Sequence, residues 1–84
     1  MSTKLLVNVL LPATGKSYDV WVPRELMVFE CAQLIGRLLS EAEGRFYRAG
    51  PDTALYLRQT GDELRAEVYM GNLGFCNGTK LILI

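Results

Sequence analysis

Histidine is absent from this 84-residue chain, and cysteine occurs only at Cys31 and Cys76, far apart and without a CxxC pair. A thiolate without an imidazole partner and a metal site without its commonest nitrogen ligand are both weak readings, so neither a disulfide framework, a metal nor a cofactor is expected. Net charge is absent too. Nine Lys plus Arg balance nine Asp plus Glu, and the pI is near 6.2. Phosphate-backbone affinity comes from clustered cations, so nucleic acid and anionic membrane surfaces are not expected partners. Nor is there an apolar run approaching the roughly 20 residues that span a bilayer, and direct membrane insertion is not expected. The start, Met1 to Lys4 followed by Leu5-Leu6-Val7, superficially suggests a signal peptide, but Asn8 interrupts the run and Pro12 follows closely. A first strand fits it better, and a reducing cytoplasm is the expected compartment.

Apolar residues, in contrast, make up 50% of the chain, with 21% charged. That is too hydrophobic for a disordered chain. A chain of this length buries roughly 60% of its unfolded surface, enough for one core, so residues 1–84 are read as a single domain. Room for an elaborate enclosed active site is scarce, and an enzyme is not expected.

Two runs with period two open the sequence. Leu5, Val7, Val9 and Leu11 share one face of a strand from about Lys4 to Leu11, with Lys4, Leu6, Asn8 and Leu10 on the other. Pro12 to Lys16 is a turn cluster, and Ser17 to Val22 alternates again, with Tyr18, Val20 and Val22 expected inward and Pro23 ending the strand. The period then changes. Val28, Cys31, Ile35, Leu38 and Ala42 recur at steps of three and four, flanked by Ala32 and Leu39, which predicts an amphipathic helix over about 26–43. Its N-terminus lacks a Ser, Thr, Asp or Asn cap, Glu25 and Glu30 suit the positive end of its dipole, and Gly44 is a natural C-cap. Gly36 reads as a tolerated interior cost. Arg45 to Thr53 is a loop, Leu55 to Arg58 a short third strand, Thr60-Gly61-Asp62 a turn, and Glu63 to Arg65 a short fourth strand. Val68 to Gly74 predicts one tight turn, and Thr79 to Ile84 a last strand after Asn77-Gly78.

This order matches an α+β β-grasp, a mixed four- to five-stranded sheet packed on one helix. Thr14-Gly15-Lys16, Glu43-Gly44, Pro51-Asp52, Thr60-Gly61 before Leu64, and the ending Leu81 to Ile84 resemble ubiquitin at corresponding places, with an insertion around Arg45 to Arg48. Among bacterial members, the chain resembles the YukD/EsaB proteins of type VII secretion loci and the N-terminal cytosolic domain of EccD. The length, the apolar first hairpin, Tyr18-Asp19-Val20, and the stretch from Leu73-Gly74 through Asn77-Gly78-Thr79-Lys80-Leu81 carry that resemblance. It implies an accessory or regulatory protein for export of WXG-type helical substrates, working by non-covalent docking to secretion-machine components. Covalent modifiers and sulfur carriers of the wider family need a Gly-Gly terminus. A chain ending in Leu83-Ile84 is not expected to conjugate, although a missing Gly-Gly tail, or excision of this domain from a larger protein, stays open as an alternative.

The ubiquitin comparison also places Arg58 at the position of the central isoleucine in ubiquitin's receptor-binding patch, and Ala13 at its hairpin leucine, whereas Ile84 keeps the apolar last-strand member. Ubiquitin's own receptors are therefore not expected to recognise this surface. Trp21 alternates out of phase with Val20 and Val22 and falls on the outer sheet face, with Leu6, Leu10, Tyr56, Ile82 and Ile84 in the same phase. Together with Arg58 these are the candidate protein-interaction residues. A contiguous apolar face of this kind usually has a partner, and homodimerisation would cover it as well as a foreign protein would; a solitary exposed aromatic packed on aliphatic stems is the competing reading. Cys31 is expected to be an inert core thiol, and Cys76 lacks a group to stabilise its thiolate. The pairs Glu41/Glu43 and Asp62/Glu63 read as solvated charge. Arg45 and Arg48, bracketing Phe46-Tyr47, either clamp an acidic partner or solvate a loop.

Overall fold

The computed structural model describes residues 3–44 and 48–84. Two eight-residue strands, β1 (Lys4–Leu11) and β2 (Lys16–Pro23), form the expected antiparallel hairpin, with Leu6 opposite Trp21 and Val9 opposite Tyr18. The helix α1 (Val28–Glu43) follows, then β3 (Leu55–Leu57), a 3-10 turn at Met70–Asn72, and β4 (Thr79–Leu83). The sheet order is β2-β1-β4-β3, with β1 and β4 parallel and the other pairs antiparallel. A mixed four-stranded sheet on one helix is the β-grasp arrangement read from the sequence.

Period two explains the sheet. Leu5, Val7, Val9 and Leu11 are buried without exception, as are Val22 on β2 and Leu81 and Leu83 on β4, while Tyr18 and Val20 pack partly against them. The helix contributes Val28, Cys31, Ala32, Ile35 and Leu39 to the core. This corrects the expected stripe at two positions. Each helical residue advances about 100°, so Leu38 falls a quarter-turn from buried Leu39 and is 45% exposed; Ala42 lies beyond Leu39 in the last turn and is also exposed.

The uncapped helix start has a tertiary solution. Val28 N–H donates to Val68 O at 2.9 Å and Phe29 N–H to Ala66 O at 3.0 Å, while Glu30 Oε1 accepts from Met27 N–H at 3.0 Å. The segment before the 3-10 turn thereby satisfies donors that a Ser or Asp would otherwise take. Gly44 ends the helix with φ +61° and donates to Ser40 O.

The short fourth strand expected at Glu63 to Arg65 shrinks to a single bridge between Glu63 and Tyr56, with Leu64 N–H donating to Leu55 O at 2.9 Å. The chain reverses directly after the three-residue β3, as Gly61 N–H bonds Leu57 O, and so little strand is left to pair with. Met70 in the 3-10 turn is fully buried and completes the core. The loop reading of Arg45, Phe46 and Tyr47 lies outside the described residues.

Candidate functional site: the outer sheet face

Alternation on four strands gives the sheet a second face, turned away from α1, and the register arranges it in rows. Trp21 stands opposite Leu6 at one end. The next row runs Asp19, Asn8, Lys80, with Arg58 beyond, its N–H bonding Lys80 O at 3.1 Å. Then come Ser17, Leu10, Ile82 and Tyr56. Ile84 closes the face, paired through two backbone hydrogen bonds with Ala54. All seven candidate residues thus lie outside the core. Trp21 is 53% exposed and Ile84 63%, whereas Leu6, Leu10, Tyr56, Arg58 and Ile82 are half-buried.

The register does not make them one apolar patch. A polar band separates Trp21 and Leu6 from the larger group of Leu10, Tyr56, Ile82 and Ile84. In that band the Arg58 guanidinium crosses β4, and Nη2 donates to Asn8 Oδ1 at 2.8 Å, Leu81 O at 2.9 Å and Asn8 O at 3.3 Å. Asn8 Nδ2 in turn donates to Asp19 Oδ1 at 2.9 Å. One hydrogen-bonded chain therefore ties the residue that follows β3 through β1 to β2. Alternation had put Asn8 outward, but only the register shows that it stands between Asp19 and Arg58.

A second polar cluster joins the sheet to the helix end. The Tyr18 hydroxyl donates to Glu43 Oε2, and Lys16 Nζ lies 3.6 Å from the same oxygen. The Tyr18 hydrogen bond, helped by Thr14 and Lys16 against the opposing effect of burial, holds the Glu43 carboxyl below its ordinary range. The same hydrogen bond, then burial and the carboxylate charge, hold the Tyr18 phenol above its ordinary value. Glu43 is therefore a structural tether rather than the solvated charge expected of it.

The two thiols differ in burial. Cys31 is buried, and desolvation followed by the charge of Glu30 pushes it up to about 11; Cys76 is exposed. Among the described residues no group of three His, Cys, Asp or Glu side chains is placed to hold a metal ion, and no helix is long and apolar enough to cross a membrane.

No protein-family profile matches the chain, and no curated protein does. Solved structures do. The ubiquitin-like domain of EccD5 from Mycobacterium xenopi superposes with a TM-score of 0.79 at 13% identity, covering 99% of this chain and 94% of that one. The ubiquitin-like domain of the type VII secretion protein EccD1 from Mycobacterium tuberculosis gives 0.75 at 18% identity, over 100% and 99% of the two chains. A chain of an ESX-5 inner membrane complex gives 0.75 at 19% identity; the match takes in 99% of this chain but 21% of that one. At these identities the likeness is one of fold. With its β2-β1-β4-β3 sheet laid on a single helix, the chain has the fold of the ubiquitin-like domains, including those found in type VII secretion proteins.

Proposed function

We propose that this chain is a ubiquitin-like protein-interaction module that docks non-covalently as an accessory or regulatory component of a bacterial type VII secretion system, on the cytoplasmic side. The observation that carries the reading is the outer sheet face, where more than half-exposed Trp21 stands beside half-buried Leu6 and, across the polar band, more than half-exposed Ile84 stands with half-buried Leu10, Tyr56 and Ile82. Large aromatic and aliphatic side chains in that setting are what an interface desolvates, and a central anchor contributes about 2 kcal/mol or more. The likeness to the EccD1 and EccD5 domains, and the similarity of the closing stretch to the YukD/EsaB proteins, supply the choice of machine. No catalytic role is assigned to any residue.

Affinity capture of the tagged chain from its host's membrane and cytosolic extracts tests this, with Trp21→Ser plus Ile84→Asp as the comparison. Type VII components that wash off under denaturing conditions, and that the double variant fails to retain, are the expected result. Adducts that survive denaturation would overturn it in favour of a covalent modifier, and absence of every secretion component would remove the assignment to this machine. A second reading, that the chain is one domain of a larger protein, is favoured by its spanning about a fifth of the ESX-5 chain it matches. The sequence encoded downstream of Ile84 decides between them.

A further inference from the structure

The guanidinium at the centre of the outer face meets no carboxylate directly among the described residues; Asp19 is reached only through the Asn8 amide. All nine Asp and Glu side chains lie among the described residues, and none of them forms an ion pair with Arg58; Glu43, for one, pairs with Lys16. Arg58 instead spends one amine, Nη2, on three neutral acceptors. Its Nε is buried with no hydrogen-bond partner, and Nη1 takes no acceptor from the described residues. Lys80 stands beside it, its ammonium likewise without an ion pair among them. The two cations line an open cleft of about 430 Å³ with Leu57, Gln59, Gly78 and Thr79.

A half-buried charge without a counter-ion loses hydration and gains little in return, since neutral acceptors compensate it less well than a carboxylate. A bridge between strands needs no charge at all. We propose that Arg58 is the charge anchor of this face, and that it receives, with Lys80, a carboxylate from an acidic segment of a protein partner whose flanking apolar side chains settle on Leu10, Tyr56, Ile82 and Ile84. The apolar row next to the cations specifies a peptide rather than an inorganic anion, because a bare anion leaves that row in water. Arg58 is held in place by Asn8 and Leu81 before the partner arrives, so little side-chain freedom remains to be lost on binding. This deepens the proposed docking function by naming the chemistry of the partner; it rests on the outer face being the contact surface and not on the secretion assignment.

The test is selection of a displayed library of random linear peptides on the purified chain, in parallel with Arg58→Gln and Lys80→Glu. Enrichment of Asp or Glu next to apolar residues is expected. The best peptide, synthesised beside its Gln or Asn counterpart, is then titrated into labelled protein while the Arg58 Nε–H resonance is followed by NMR. The acidic peptide should move that resonance, and the amide counterpart and Arg58→Gln should each weaken binding roughly tenfold, the loss of one charge-assisted contact. Lys80→Glu changes an exposed side chain that makes no hydrogen bond or ion pair among the described residues, so it keeps the test decisive should Arg58→Gln fold poorly; it should exclude acidic peptides from the selected pool. Selection of neutral or basic sequences, equal binding by both variants, binding that leaves Nε–H unmoved, or no enrichment at all would each overturn the proposal. Since the selection contains no secretion component, its outcome is independent of the capture experiment.

Discussion

Gly36 shows how much one methyl group can decide. It lies in the middle of α1, buried, where alanine would favour the helix by about 1 kcal/mol. Yet a Cβ there would sit 2.7 Å from the Cβ of Ala49, on the loop that returns across the helix, and 3.7 Å from Thr53 Cγ2. Ala49 has little room to retreat, since its N–H is held by Ser40 Oγ at 2.9 Å. Overpacking of this kind costs about 1–3 kcal/mol and should outweigh the gain in propensity. Urea denaturation should therefore find Gly36→Ala destabilised, and Ala49→Gly in the same chain should recover part of the loss. Independent, additive losses in the double variant would show that the two residues do not meet. The thiols differ for the same reason, burial. Cys76 should react at once with a thiol reagent in the native protein, whereas Cys31, buried and with its thiol pushed up to about 11, should react only as the chain unfolds.

At the scale of elements, the end of α1 is tied to β2 by Tyr18, Glu43 and Lys16, and the two shifted groups give this tether a defined pH range. The Glu43 carboxyl titrates lower in the folded chain than in the unfolded one, so its contribution is present above the usual carboxylate range and fades as pH falls through the folded value. The Tyr18 phenol titrates higher when folded, so its contribution is complete below about pH 10 and fades as pH rises through the folded value. Tyr18→Phe should flatten the stability profile at both ends, and NMR titration should find the Glu43 carboxyl moved upward in that variant. An unchanged Glu43 titration would mean that Thr14 and Lys16, not Tyr18, set its value. The elements themselves were largely legible in the sequence, because period two in the hairpin and steps of three and four in the helix each select one face. Leu38 and Ala42 were misplaced because a second ridge of the same spacing runs beside the true one. Met70 gave no signal, being a single apolar residue in a Gly-rich turn that only tertiary contacts bury. The Arg58–Asn8–Asp19 chain is legible only after the register is known, since its members lie on β1, on β2 and just past the end of β3, with Asp19 11 residues and Arg58 50 residues from Asn8.

For the molecule as a whole, the β-grasp divides the apolar residues of its sheet between a buried inner face and a partly exposed outer one. Leu5 and Leu81 on the inner face are fully buried, and truncating either to Ala should cost about 2–5 kcal/mol, because the lost transfer energy is joined by a cavity the helix cannot fill. Trp21 and Ile84 are already more than half exposed, so Trp21→Ser and Ile84→Asp should change stability by no more than about 0.5 kcal/mol each. That separation allows the outer face to be altered without loss of the fold, as long as the polar band remains. Asn8→Ala should be the exception among outer-face changes. It deprives both Arg58 and Asp19 of a partner, leaving the guanidinium with Leu81 O and the Asn8 backbone carbonyl alone. A buried or half-buried polar group deprived of a partner costs about 1–3 kcal/mol, so Asn8→Ala should destabilise the chain more than Trp21→Ser does, although it removes far less surface. Denaturation of the three outer-face variants side by side distinguishes the two kinds of residue. If Trp21→Ser proved the more damaging, the indole would be supporting the sheet, and Trp21 would lose its place in the proposed contact surface.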